Sequence, residues 1–181
     1  MADYNFMMSL HVNDSGTIED YAGNTWTMNN TSIVTSVSGF PGTKCISFPG
    51  TGYLYKSSGN ALSINTTQDF TVAFWMYFSS VPWHNYNAIL LSNGWTYYSY
   101  NTLAFNRARN CVFMKGTSEP GISATPISSH AGKAFHIAIT RQSGTARVFF
   151  NGALMSTQPN STSYIFGTNV FGKFSANTTD D

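Results

Sequence analysis

The stretch from Phe135 to Thr157, FHIAITRQSGTARVFFNGALMST, constrains this chain most, because it reads as three short antiparallel strands joined by two tight turns. Asn151-Gly152 suits the positive φ angles of a two-residue type I′ turn, which places Phe150 opposite Ala153 and Val148 opposite Met155. Ser143-Gly144 supplies the other turn and pairs Ile139 with Val148 and Ile137 with Phe150. Phe135, Ile137, Ile139, Val148, Phe150 and Met155 then share one apolar face. The opposite face carries His136, Ala138, Thr140, Arg147, Phe149, Leu154 and Ser156, the mixture expected where a sheet meets water or a ligand.

Further strand signals recur between Gly, Asn, Ser and Pro punctuation: Tyr4 to Leu10, Lys44 to Phe48, Tyr53 to Lys56, Phe70 to Phe78, Ala88 to Leu91, Thr102 to Phe105 and Cys111 to Lys115. No helical periodicity of useful length competes, so the pattern predicts an all-β sandwich or jelly roll. In DFTVAFWMYF, Phe70, Val72, Phe74, Met76 and Phe78 alternate with Thr71, Ala73, Trp75 and Tyr77. Large apolar groups on both parities predict a central strand. The first set fills the space between two sheets. Trp75 and Tyr77 point to the other side, onto a covered or ligand-facing surface, and for Trp75 ordinary packing is favoured over ligand contact.

A chain of 181 residues is long enough for one domain with a real core. Charged residues make up only 9% of it, against roughly a quarter in an average soluble protein, so its surface is neutral and hydrogen-bonding. A net charge of +1 with no Lys/Arg cluster excludes the long-range attraction that nucleic-acid binders use. The longest apolar run, Val72 to Phe78, is about a third of the ~20 residues a membrane-spanning helix needs. No secretion signal follows Met1. Cys45 and Cys111 read as two isolated thiols, with a single disulfide as the alternative.

Three pieces carry a resemblance: Asp14-Ser15-Gly16 with Asp20-Tyr21-Ala22-Gly23-Asn24, then DFTVAFWMYF, then FHIAITR with FFNGALM. Together they resemble a laminin G-like domain of the concanavalin A-like lectin and glucanase superfamily. The resemblance implies a two-sheet antiparallel jelly roll over residues 1–181 with a binding role more often than a catalytic one. Phe135 departs from the family by standing where Trp usually precedes His. KFSANTTDD, where the family normally continues into a final strand, gives the expectation of a fragment lacking its closing strand.

The segment Val81 to Asn101 concentrates Trp83, His84, Tyr86, Trp95, Tyr97, Tyr98 and Tyr100 among Asn and Ser. Sugars present CH faces that stack on aromatic rings and hydroxyls that pair with Asn, Tyr and His, so this composition suits a glycan. It equally suits contact with a neighbouring subunit, or simple capping of the sandwich edge.

Catalysis is not expected. Glycoside hydrolysis needs two carboxylates set across the scissile bond, and no two acids here sit at i and i+2 or i+4 inside a strand. His11, His84, His130 and His136 lack any nucleophile signal. The resemblance further implies a candidate Ca2+ site, with Asp20 and Asp180 as its carboxylate ligands.

Scarce charge, Ser/Thr/Asn-rich strands and the missing signal peptide also resemble laminin G-like domains of tailed-phage virion proteins. That resemblance implies an oligomeric attachment module on a virion surface, of tail-fibre or capsid-decoration type, binding host glycan. The alternatives are a structural virion protein held to neighbouring subunits without a glycan, and an extracellular adhesion module.

Overall fold

In the computed structural model the strands run β1 (His11–Val12), β2 (Ile18–Glu19), β3 (Thr25–Asn29), β4 (Ile33–Thr35), β5 (Cys45–Ser47), β6 (Tyr53–Tyr55), β7 (Ser63–Ile64) and β8 (Phe70–Met76). They continue as β9 (Asn87–Ser92), β10 (Thr102–Asn106), β11 (Cys111–Lys115), β12 (Ile122–Ala124), β13 (Phe135–Gln142), β14 (Thr145–Phe150), β15 (Ala153–Pro159), β16 (Phe166–Gly167) and β17 (Val170–Phe171). Together with residues 69, 77, 128–134, 143–144, 151–152 and 160–161, these are the residues the structure describes. The expected strand from Tyr4 to Leu10 lies outside them.

The fold is an antiparallel β-sandwich. A nine-stranded sheet runs in the order β1-β2-β3-β6-β17-β9-β10-β11-β12, and a four-stranded sheet runs β15-β14-β13-β8. Two short pairs, β16 with β7 and β4 with β5, complete the described ladders. β12 of the larger sheet lies against β14 and β15 of the smaller one. A single 3-10 turn, Ser128–His130, is the one helical element among the described residues.

Both turns of the meander are as the sequence predicts. Ser143 and Asn151 have φ of 49°, followed by Gly144 at 73° and Gly152 at 81°, the paired left-handed conformation of a type I′ turn. Ile139 pairs with Val148 and Ile137 with Phe150. Asn151 also grips the preceding strand: its N–H donates to the His136 carbonyl at 2.8 Å, and its Oδ1 accepts the His136 N–H at 2.8 Å. At the other hairpin, the Ser143 N–H donates to Asp69 Oδ1 at 2.8 Å, tying that turn to the start of β8.

The third strand departs from expectation. Phe150 faces Ala153, but the register shifts between Val148 and Phe149, so Val148 faces Ser156 and Met155 bulges out of the ladder. Met155 therefore leaves the apolar face and is exposed, while Ser156, expected on the other side, joins the inner face. Counting outward from a two-residue turn presumes an unbroken ladder, and one extra residue reverses every position beyond it.

The inner face consists of Phe135, Ile137, Ile139, Ala146, Val148 and Phe150, all buried. Ile18, Trp26, Leu54 and Ala124 supply buried side chains from the larger sheet. At one end of the inner face the His130 ring stacks on Phe135 at 4.7 Å and meets the edge of Phe150 at 5.4 Å. At the other end Arg141 is 2% exposed, its guanidinium 5.0 Å from the Phe70 ring centroid. Arg141 Nη1 also donates to Asn160 Oδ1 at 3.4 Å. Asn160, which opens an Asn-x-Ser/Thr triplet, is thus a buried structural amide.

β8 is not central. Among the described residues it stands at the edge of the four-stranded sheet, paired only with β13. Its Phe70, Val72, Phe74 and Met76 side chains turn inward as predicted, and Thr71, Ala73 and Trp75 turn outward.

Candidate functional site

Because side chains alternate along a strand and directly opposed residues share a face, the register defines the outer surface of the four-stranded sheet. One row across it is Trp75 and His136. The next is Ala73, Ala138, Phe149 and Leu154. A third is Thr71, Thr140, Arg147 and Thr157.

Trp75 is 45% exposed, Tyr77 39% and Leu154 55%. The ordinary packing favoured for Trp75 is therefore overturned: its indole stands on the outer surface. Its ring centroid is 5.3 Å from that of His136, with the planes tilted by 58°. Since Asn151 holds both backbone polar groups of His136, the imidazole beside Trp75 rises from a fixed point of the sheet.

Ala73 and Ala138 are directly opposed and carry only methyl groups. Trp75 and His136 rise on one side of them, Thr71 and Thr140 on the other, and Phe149 stands in the same row. The aromatic and hydroxyl rows are four residues apart, about 13 Å along the strands. The opposed alanines leave the floor between those rows low. The walls offer an indole, an imidazole, a phenyl ring and hydroxyls, the groups that engage both the CH face and the hydroxyls of a saccharide.

Residues 49–179 match the laminin G-type model described as the concanavalin A-like lectin/glucanases superfamily. The chain belongs to that superfamily. No curated protein matches it in sequence.

Solved structures agree on the fold of this superfamily member. It is similar to the receptor binding domain of botulinum neurotoxin D at TM-score 0.64 and 14% identity, covering 94% of this chain and 45% of that one. A second structure of the serotype D binding domain gives 0.64 and 16%, covering 94% and 43%. The chain thus spans less than half the length of either neurotoxin structure. Domain 4 of AbnA, a GH43 extracellular arabinanase from Geobacillus stearothermophilus in complex with arabinotriose, is similar at 0.58 and 16%, covering 92% of this chain and 86% of that one.

The aromatic residues singled out in the sequence, Trp83, His84, Tyr86, Trp95, Tyr97, Tyr98 and Tyr100, lie outside the described residues, although β9 runs through the middle of that segment. Asp20 and Asp180 also lie outside them. Among the described residues no cluster of three or more His, Cys, Asp or Glu could hold a metal ion, and no helix is long and apolar enough to cross a membrane. The site on the outer face is only partly visible in sequence. His136, Arg147 and Phe149 fall on the predicted outward parity, whereas the pattern around Trp75 points to packing.

Proposed function

We propose that this chain is a non-catalytic glycan-recognition module that presents the outer face of its four-stranded sheet to a saccharide. The observation that carries the reading is Trp75: a large indole, 45% exposed, beside His136 and above a floor of two alanines. An exposed aromatic on a rigid sheet, bordered by hydroxyls, is a preformed stacking surface that loses little entropy on binding. Two similar structures add support from their descriptions, one as a receptor binding domain and one in complex with arabinotriose. The segment from Val81 to Asn101 is the second candidate for glycan contact, on its aromatic and amide composition.

The setting we propose is a virion surface of tail-fibre or capsid-decoration type, with an extracellular adhesion module as the alternative. Many copies on one particle combine weak sites through effective concentration, so each site can be modest. The low charge and the Ser/Thr/Asn-rich composition support that setting. A structural role through subunit contacts is favoured by one specific feature, the exposed Leu154 and Met155 side by side at the sheet's β15 edge.

A glycan array probed with wild type, Trp75→Ala and Trp83→Ala tests the reading. Glycan recognition by the outer face requires that wild type binds and that Trp75→Ala loses binding while its melting temperature stays within a few degrees. Loss with Trp83→Ala alone moves the site to the 81–101 segment. Absence of any bound glycan, with copies joined through Leu154 and Met155 in electron micrographs of the assembly, replaces the reading with the structural one.

A further inference from the structure

The charge on the outer face specifies the sugar more narrowly than the aromatics do. Among the described residues of that face the Asp, Glu, Lys and Arg side chains are Arg147 in its third row and Asp69 at the start of β8. Asp69 Oδ1 accepts the Ser143 N–H at 2.8 Å, so that carboxylate serves the turn at the sheet's end. Arg147 is different. It stands between Thr140 and Thr157 in its row, with Thr145 before it and Phe149 after it on the same side of β14. No carboxylate is among these neighbours. With charged residues only 9% of the chain, a half-buried arginine whose strand neighbours are three threonines and a phenylalanine is a distinct positive point on this face.

A guanidinium offers a planar fork of N–H donors that matches the two oxygens of a carboxylate. Thr140 and Thr157 flank that fork with hydroxyls able to donate to or accept from ring hydroxyls. Phe149, one step along the strand, supplies a face for the CH groups of the same sugar. The alanine floor lies beside Phe149 and leads to Trp75, a path of two rows and two strands. At about 3.3 Å per residue along the strand and about 4.8 Å between strands, that path is about 16 Å, the length of two to three sugar rings.

We propose that the outer face selects an anionic oligosaccharide, with one carboxylated sugar seated on Arg147 between Thr140 and Thr157 and a following ring lying on Ala73 and Ala138 against Trp75. The inference rests on the glycan reading above and adds the charge class of the ligand. Its specificity comes from the bidentate pair, because the remainder of the surface has little charge with which to discriminate.

The test is a glycan array carrying sialylated, uronate-containing and sulfated oligosaccharides beside their neutral counterparts, screened with wild type, Arg147→Met and Arg147→Lys, followed by calorimetric titration of the best ligand. Wild type should prefer a carboxylated glycan to its neutral counterpart by about tenfold or more. Arg147→Met should abolish that preference at an unchanged melting temperature, and Arg147→Lys, which keeps the charge but loses the fork, should fall between the two. Equal binding of neutral counterparts, retention of the preference in Arg147→Met, or a response to sulfated glycans alone overturns the carboxylate seat while leaving glycan recognition standing. Binding of a poly-glutamate peptide as tightly as the best sugar overturns the sugar as occupant. Silence across the whole array overturns both readings together.

Discussion

Along β13, Phe135, Ile137 and Ile139 are fully covered, while His136, Ala138 and Thr140, on the other side of the same backbone, are only half-buried. The inner parity continues through Ala146, Val148 and Phe150, and the outer one through Arg147 and Phe149. What differs is the job each parity does. Inner residues are constrained by close packing, where a lost methylene is felt directly. Outer residues carry chemistry that the fold does not require, which leaves aromatic, hydroxyl and cationic groups free to be set by a ligand. Under the proposed glycan reading, the outer face is free to change its ligand without a rebuilding of the core.

Truncation at the centre of the inner face should give the largest effect. Phe135→Ala removes a buried ring from the cluster with His130 and Phe150 and should destabilise by about 3–5 kcal/mol in denaturant titration. A value under 1 kcal/mol would break the contrast between the two faces. Arg141→Ala should follow at about 2–3 kcal/mol, since it deletes a guanidinium packed on Phe70 and bonded to Asn160. That variant sharpens the comparison by asking whether a polar inner residue behaves as core.

Asn151→Ala should lower stability by about 1–2 kcal/mol, because alanine tolerates a φ of 49° poorly and cannot accept the His136 N–H. Asn151→Gly removes the backbone conflict and should recover about half of that loss. Trp75→Ala should have the smallest effect on stability, within about 0.5 kcal/mol, although it removes the largest exposed ring of the outer face. A melting curve for Trp75→Ala that resembles the one for Phe135→Ala would merge the two faces into a single core.

The turns and their pairing were legible because Asn-Gly and Ser-Gly have few alternatives once strands flank them. The inner set followed by alternation as far as Val148. Beyond that point the bulge at Met155 left no trace in composition. DFTVAFWMYF misled for a physical reason: large apolar groups on both parities are the usual mark of a strand covered on both sides, so an exposed Trp75 reads as core until the neighbouring strands are placed. Arg141 was missed because arginine is almost never fully buried unless paired, and its partners Phe70 and Asn160 are distant in sequence. Between His11 and Ile64 many strands are two or three residues long, too short for alternation to be counted.

The bulge has a consequence for how copies of this protein can live crowded together. β15 is an edge strand among the described residues, and a regular edge invites another chain to extend the sheet indefinitely. Displacing Met155 from the ladder interrupts the even spacing of unpaired N–H and C=O groups and adds local twist. The bulge thus makes the β15 edge a poorer template for a further strand than an even ladder is.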